Sequence, residues 1–417
     1  MNRSPKFTTF ILITAFILFS GSKILAQIDQ SYYEKQKKAY TVSSENECQT
    51  SLNFCTEVLK VVPNHPIINY LAARLHAMLG HKKGALDHLE IAIKMGYTTK
   101  LPFKKIHHLN DSAFKSYYDD NRFIKMAGIL EQAEQAVQQS KVAFLISDKE
   151  LAPEGIAYDP VDKIFYLGSE TKSKIITLDQ SGNTADFTTE KQDGLNIVLG
   201  IHVDPVRRHL WSCSYEENKQ AIFKYDLLTK KLIKKYVWPE DGTGTYFNDL
   251  VIHSDGNIFI TDPQCGGIYT ITTSHDKIEL FYKTDLLISP NGITLSDNGQ
   301  DLFVGDTYMG IHKINLKTKF SILLTHEPGF SVYGIDGLYF KNNNLYAIEI
   351  LMNRVSRFTL NETGDHISSC ETIEKNSEFL HKPTTGVIAD NYFYFIADTY
   401  AKAHNKEGVI IMKTRLK

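Results

Sequence analysis

Two different periodicities divide the chain. From about residue 30 to residue 140 the apolar residues recur with helical spacing, whereas from Val142 onward they alternate with a period of two. The second stretch is dominated by Tyr, Phe, Ile and Val, and short turns of Asp, Asn and Gly interrupt it, as is typical of strands. The pattern predicts an α-helical region over 27–141 and an all-β region over 142–417.

The helical region contains a predicted helix hairpin. Two amphipathic segments between Asn64 and Gly96 are separated at Gly80. Small residues stand where two helices would approach closely, namely Ala73, Ala85 and Ala92. The hairpin resembles a tetratricopeptide repeat. The segment before it, ending at Pro63, looks like the second helix of a preceding copy, and residues 112–130 look like a capping helix.

One position departs from that repeat motif. Asn69 stands where the motif has a large aromatic residue in its first helix. One or two repeats are few for a peptide-binding groove, so we expect a helical cap or spacer. Docking of a protein partner through this region is the alternative.

The β region repeats one unit six times, and each unit is a strand, a tight turn and a second strand. The copies read EGIAYDPVDKIFYLGSE, LGIHVDPVRRHLWSCSY, NDLVIHSDGNIFITDP, NGITLSDNGQDLFVGDT, DGLYFKNNNLYAIEI and TGVIADNYFYFIADT. Their second residues are 45, 49, 43, 45 and 49 residues apart. A period near 45 with several strands per repeat predicts a six-bladed β-propeller. Residues 141–152 can supply the outer strand of the last blade, which would close the ring.

The first residue of each copy carries the candidate chemistry. The inner strand of each blade lines the channel of a propeller, so equivalent positions should lie at one height around the axis. Four of the six are strong oxygen donors, and the set is Glu154, Leu199, Asn248, Asn291, Asp336 and Thr385. Two carboxylates and two amides form an oxygen-only cage of charge −2, which suits a divalent cation and Ca²⁺ best. Mn²⁺ and Mg²⁺ are alternative cations. The alternative without a metal is that these are turn residues that bond to the backbone.

Further polar residues follow the second strands. Acids end four of these strands and serines stand at the equivalent places of the other two, namely Asp262, Asp306, Glu349, Asp398, Ser169 and Ser214. We expect them to cap turns by accepting hydrogen bonds from backbone amides. Asp262 and Asp306 are the candidates for reaching a substrate pocket, and His202 and Tyr333 are weaker candidates for the same pocket.

At these residues the β region resembles the gluconolactonase family that includes regucalcin (senescence marker protein). The resemblance covers roughly 142–417, and PEGIAYDP, FNDLVIHSDGNIFITDP, SPNGITLSDNGQDLFVGDT and GIDGLYF match the metal-ligand segments of that family in order. The resemblance implies Glu154, Asn248, Asn291 and Asp336 as metal ligands, Asp336 as general base, and lactone hydrolysis as the activity. The helical extension is not part of the simple members of the family.

Charge and cysteine usage narrow the function further. Lys and Arg number 46 against 48 acids, so the chain has no basic field for nucleic acid. Five cysteines, with no zinc-site spacing and too few for a disulfide framework, predict buried free thiols.

The N-terminus indicates export. Arg3 and Lys6 precede an apolar run from Phe7 to Phe19, and Ala26 follows, as in a secretory signal peptide over 1–26. The run is shorter than the roughly 20 residues that span a bilayer, which makes a permanent anchor the lesser alternative.

These observations predict a periplasmic or secreted hydrolase of lactones that depends on a divalent cation. The alternative of another class is a non-catalytic secreted binding propeller whose metal is structural and whose helical region docks a partner. A strictosidine-synthase-like propeller needs no metal and fits the four donors poorly.

Overall fold

The computed structural model describes residues 32–42, 44–97, 111–216, 219–239, 245–404 and 407–417. The predicted signal peptide over 1–26 lies outside the described residues. Within the described ranges, no helix is both long and apolar enough to cross a membrane.

Five α-helices are described ahead of the β region. They are α1 (Tyr32–Thr41), α2 (Glu45–Val61), α3 (Pro66–Met78), α4 (Lys82–Lys94) and α5 (Asn121–Ala133), and a 3₁₀ helix spans Ser112–Tyr117. The capping residues explain several boundaries. Ser44 and Glu47 form a reciprocal capping box on α2, and Pro66 opens α3 where no intrahelical N–H is needed.

The predicted helix hairpin is confirmed. Helices α3 and α4 pack against each other, and Gly80 joins them with a φ of +73°, a left-handed conformation that glycine adopts readily. Ala73, Ala85 and Ala92 are fully buried, as expected where two helices approach closely. The assignment of these helices to a tetratricopeptide repeat stays a prediction.

The β region is a six-bladed propeller, as predicted from the repeats. Five blades each take four consecutive strands, and the strands run antiparallel from the channel outward. Blade 1 is β3 (Pro153–Asp159), β4 (Ile164–Ser169), β5 (Ile175–Leu178) and β6 (Thr184–Asp186); blade 2 is β7 (Ile197–Asp204), β8 (His209–Glu216), β9 (Lys219–Asp226) and β10 (Leu232–Val237); blade 3 is β11 (Leu250–Ile252), β12 (Ile258–Asp262), β13 (Gly267–Ile271) and β14 (Ile278–Lys283). Blade 4 is β15 (Pro290–Leu295), β16 (Asp301–Asp306), β17 (Gly310–Asn315) and β18 (Ser321–Leu323); blade 5 is β20 (Ile335–Lys341), β21 (Asn344–Glu349), β22 (Arg354–Leu360) and β23 (His366–Lys375). Short strands β1 (Val137–Gln138) and β19 (Thr325–His326) pair with β23 at the edge of blade 5.

The ring closes between the two ends of the β region. Blade 6 contains β24 (Gly386–Ala389), β25 (Tyr392–Ile396) and β26 (Val409–Arg415), and its fourth, outer strand is β2 (Lys141–Ile146). Strand β2 pairs antiparallel with β26. This is the closure predicted for residues 141–152, and it joins the two ends of the β region within one blade.

Hydrophobic side chains fill the spaces between blades. Among the described residues, one buried cluster lies at each of the six boundaries between neighbouring blades. The inner strands approach closely because the second residue of a copy is usually glycine. A Cβ on Gly155 would lie 2.3 Å from the carbonyl oxygen of Leu199, and one on Gly200 would lie 2.6 Å from that of Asn248.

The helical region and the propeller share one core. The buried cluster of the helices also includes Ile288, Met309, Tyr333 and Met352 from blades 4 and 5. These four residues precede an inner strand or follow a second strand, so they lie on the face of the propeller where the inner strands begin. The helical region therefore covers two blades on the face that carries the predicted ring of oxygen donors.

Candidate functional site

The inner strands bring the predicted donors to one ring. Strands β3, β7, β11, β15, β20 and β24 contact one another in that order, and β24 contacts β3 again. Glu154, Asn291 and Asp336 lie at the starts of β3, β15 and β20, and Asn248 lies just before β11. The repeat register predicted from the sequence is therefore the register of the structure.

Hydrogen bonds between blades hold the backbone of this ring. Gly200 donates its N–H to the Asn248 carbonyl at 2.8 Å, and the Thr261 hydroxyl donates to the Asn291 carbonyl at 2.6 Å. The hydroxyls of Thr384 and Thr385 both donate to the Glu154 carbonyl. The sixth ring residue, Thr385, thus directs its hydroxyl to the backbone. Each bond fixes the strand end from which a donor side chain projects.

Three of the four predicted ligands carry a buried oxygen without a hydrogen-bond partner. These atoms are Glu154 Oε2, Asn248 Oδ1 and Asn291 Oδ1. Buried oxygens are normally satisfied, so unpaired acceptors on residues of one ring call for a positive group among them. The donor set consists of carboxylate and amide oxygens, which are ligands that Ca²⁺ prefers. The residues present therefore fit a divalent cation.

The two carboxylates of the ring influence each other strongly. Burial raises the pKa of Glu154 well above its usual range, and the nearby Asp336 carboxylate raises it further. Burial also raises the pKa of Asp336, while Lys382 and a hydrogen bond from the Asn291 side chain lower it. Two enclosed acids are costly to ionise together without a counter-charge. A divalent cation would supply that charge.

The metal-ligand pattern differs from the usual cluster of acids and histidines. In the described part of the chain, no group of three or more His, Cys, Asp or Glu side chains is arranged to hold a metal ion. The candidate site has two acids, and its other two donors are amides. Recognition of such a site depends on the repeat register rather than on a cluster of acidic residues.

Asp249 is a buried acid beside the four predicted donors, and the sequence interpretation did not single it out. It occupies the position that is glycine in the other five copies, and its Oδ1 lies 2.7 Å from the place where a Cβ on Gly200 would stand. Its carboxylate accepts hydrogen bonds from the backbone N–H groups of Leu250 at 2.8 Å and Ile293 at 3.4 Å. Burial raises the pKa of Asp249 to about 7. Its departure from the repeated glycine was the signal that could have revealed it.

The rim next to Glu154 and Asp336 is aromatic and charged. Tyr400 donates a hydrogen bond of 2.5 Å to Glu170 Oε2, and Lys382 Nζ lies 4.0 Å from the centre of the Tyr400 ring. The charges of Glu170 and Lys382 both act on the pKa of the two ring carboxylates. Lys382 and Tyr400 lie outside the six repeated units, and Glu170 ends the first unit at a position where the other five copies have no acid. The repeat register therefore predicts none of the three.

The residues after the second strands bind backbone groups. Asp262 Oδ1 accepts from the N–H groups of Tyr246, Gln264 and Cys265 at 3.0–3.1 Å, while its Oδ2 has no partner. Asp306 accepts from Ser289, Tyr308 and Met309 at 2.8–3.0 Å. These bonds match the turn-capping interpretation for both residues. Glu349 instead pairs with Arg354, a buried ion pair in which Nε and Oε2 are 2.7 Å apart.

The two weaker pocket candidates lie in different places. His202 is on the inner strand β7, and burial lowers its pKa to about 4, so its imidazole is neutral. Tyr333 is 2% exposed and lies beneath the helical region, with its ring centre 4.4 Å from that of His65. A separate surface cleft of about 520 Å³ lies between blades 3 and 4 and includes His253, Phe259 and Asn315, but none of the ring donors.

Comparisons with known proteins found solved structures of low sequence identity. No known family profile and no curated protein sequence matches the chain. Similar solved structures include a gluconolactonase from Xanthomonas campestris, with 15% identity over 67% of this chain and 97% of that chain and a TM-score of 0.49. A virginiamycin B lyase from Staphylococcus aureus has 16% identity over 63% and 82%, with a TM-score of 0.45. A PQQ-bound aldose sugar dehydrogenase from Streptomyces coelicolor has 12% identity over 67% and 98%, with a TM-score of 0.48.

Proposed function

We propose that this protein is a divalent-cation-dependent hydrolase of lactones or related cyclic esters that acts in the periplasm or outside the cell. The observation that carries the proposal is the set of three unpaired buried oxygens on Glu154, Asn248 and Asn291. Together with Asp336 they form a four-oxygen donor set of charge −2 in one ring. Ca²⁺ is the preferred cation because it accepts carboxylate and amide oxygens in flexible geometry and leaves positions for water and substrate.

When bound, the cation would polarise the lactone carbonyl and stabilise the negative charge that develops on its oxygen. The residues that would hold it are Glu154, Asn248, Asn291 and Asp336. Asp336 would take a proton from the attacking water, and the hydrogen bond from Asn291 would keep the Asp336 carboxylate oriented. The water oxygen bonds to the carbonyl carbon, and the ester bond of the ring breaks. Asp336 then returns the proton to the alcohol oxygen of the opened ring.

The basicity of Asp336 depends on opposing influences. A carboxylate next to a cation has a lowered pKa and is a weak base. Burial, Asp249 and Glu170 act in the opposite direction and raise the pKa of Asp336, whereas Lys382 and the hydrogen bond from Asn291 lower it. This balance supports Asp336 as the proton acceptor.

A chelation assay tests the proposal. The purified protein is assayed on aldonolactones and on a phosphotriester, before and after treatment with a chelator and after Ca²⁺ is restored. We expect turnover that chelation abolishes and Ca²⁺ restores. Glu154→Gln should lower turnover by about 100-fold or more, whereas the surface control Glu371→Gln should not.

The same assay distinguishes the alternative function. Turnover of neither substrate class, with Ca²⁺ still bound, would favour a non-catalytic binding propeller. In that case a partner would have to use helical surface other than the face that already packs on blades 4 and 5.

A further inference from the structure

Four aromatic rings join the helical region to the propeller beside the candidate site. The Tyr32 ring lies 5.3 Å from that of Tyr308, and the His65 ring lies 4.4 Å from that of Tyr333. Tyr32, His65 and Tyr333 are each at most 3% exposed. Tyr32 and His65 come from α1 and the start of α3, and their two partners come from blades 4 and 5. We call these four residues the aromatic junction.

The hydrogen bonds of the junction define its protonation. The Ile68 N–H donates to His65 Nδ1 at 3.3 Å, so Nδ1 must be the unprotonated nitrogen of the ring. His65 Nε2 therefore carries the proton and donates to the Tyr32 hydroxyl oxygen at 2.8 Å. The imidazole caps α3 with one nitrogen and bonds α1 with the other. This arrangement locks the ring that contacts Tyr333.

On the propeller side, the buried residues that contact the helices lie only a few residues along the chain from two donors of the ring. Tyr333 lies three residues before Asp336, and Ile288, in the same buried cluster, lies three residues before Asn291. Backbone bonds link the two segments through Thr307, whose N–H donates to the Ser289 carbonyl at 2.9 Å and whose carbonyl accepts from Gly334 at 3.0 Å. A displacement of the junction would therefore move both strand entrances.

The other two donors lack this support. Among the described residues, the buried cluster of the helical region includes none from the blades that carry Glu154 and Asn248. The helical region thus acts on one half of the four-oxygen ring. The separation of the two halves decides whether all four oxygens reach one cation.

We propose that the helical region is a positioning element for Asn291 and Asp336, and that the aromatic junction sets the affinity of the ring for its cation. Tyr308, Tyr333 and His65 are positioning residues, because they act through the strand entrances that carry Asn291 and Asp336. The inference rests on the proposed function for the presence of a cation. The claim that the helical region positions the two strand entrances can be tested without a cation.

The test uses the full chain in four variants. Tyr308→Ala removes a half-buried ring of the junction, and His65→Asn removes the contact with Tyr333 but keeps a side chain that can cap α3. Tyr308→Phe keeps the ring and serves as the conservative control. Phe281→Ala removes a ring that packs on Phe259 in blade 3, away from the helices.

Two measurements are made on each variant that folds. Calorimetric titration with Ca²⁺ should show affinity about 10-fold weaker in Tyr308→Ala and His65→Asn, and unchanged affinity in the two controls. Hydrogen exchange in chelator should become faster at 289–291 and 334–336 in the same two variants, but not at 153–155 and 247–249.

Wild-type Ca²⁺ affinity in both junction variants, or exchange that changes equally in both halves of the ring, would overturn the inference. If one junction variant does not fold, the other carries the same comparison. If the unaltered protein binds no Ca²⁺, the proposed function fails by itself, and the exchange pattern still decides whether the junction positions the two segments.

Discussion

A single methyl group at Gly292 should separate two of the proposed cation ligands. Gly292 follows Asn291 on the inner strand of blade 4, and a Cβ at this position would lie 2.4 Å from the carbonyl oxygen of Asp336 and 2.5 Å from the amide nitrogen of Leu338. Both neighbours are backbone atoms of the next inner strand, so no side-chain rotation can relieve the contact. Gly292→Ala must therefore push β15 and β20 apart.

The size of the displacement follows from ordinary contact distances. Carbon and oxygen atoms in proteins rarely approach closer than about 3.4 Å without strain, so the two strands must separate by about 1 Å. Ca²⁺ accepts oxygens over a range of only about 0.3 Å. The ring then loses Asn291 or Asp336 as a ligand, and we expect Ca²⁺ affinity to fall by about 10- to 100-fold. The free energy of unfolding should fall by about 1–3 kcal/mol.

Calorimetry with Ca²⁺ and chemical denaturation in chelator measure these two effects. Gly128→Ala is the matched control, because a Cβ on Gly128 in α5 has no neighbour within 4 Å. A folded Gly292→Ala protein with the Ca²⁺ affinity of the unaltered protein would refute the reasoning, since the added methyl group would then leave the donors in place.

Two further predictions concern stability. Arg354→Met leaves Glu349, which is fully buried, without its counter-charge, and should lower the free energy of unfolding by about 3–5 kcal/mol in denaturation experiments; a loss below 1 kcal/mol would contradict it. Burial lowers the pKa of His65 to about 3. As the pH falls below about 6.5, the imidazole is therefore protonated in the unfolded chain but stays neutral in the folded chain. Between pH 7 and pH 4.5, His65 should lower the free energy of unfolding by about 3 kcal/mol. The free energy of unfolding of His65→Asn should therefore fall by a correspondingly smaller amount than that of the unaltered protein in the same interval.

The propeller was predictable because the same pattern of strand, turn and strand recurs six times along the chain. Each blade needs a strand, a turn and a strand, so six copies reinforce a signal that one copy would leave ambiguous. Closure by β2 followed from the same logic, since an open edge is unfavourable. The register that gathers Glu154, Asn248, Asn291 and Asp336 is a direct consequence of this repetition.

The remaining parts of the site depend on contacts that no period encodes. Asp249 stands at a position where the other five copies have glycine, and the repeat alone does not show that its carboxylate bonds to the backbone of Leu250 and Ile293. Tyr333 is close to Asp336 in sequence, but proximity along the chain does not say which side chain faces the channel and which faces the helices. Lys382 and Tyr400 meet only through the packing of blade 6.

The most direct test of the central claim is to locate the cation. Crystals grown with Ca²⁺, or with Mn²⁺ as a substitute that gives a stronger anomalous signal, are measured for anomalous scattering. We predict one strong peak in the channel, about 2.3–2.6 Å for Ca²⁺ from oxygens of Glu154, Asn248, Asn291 and Asp336. A channel without a peak, or a peak that these oxygens do not surround, would contradict the account.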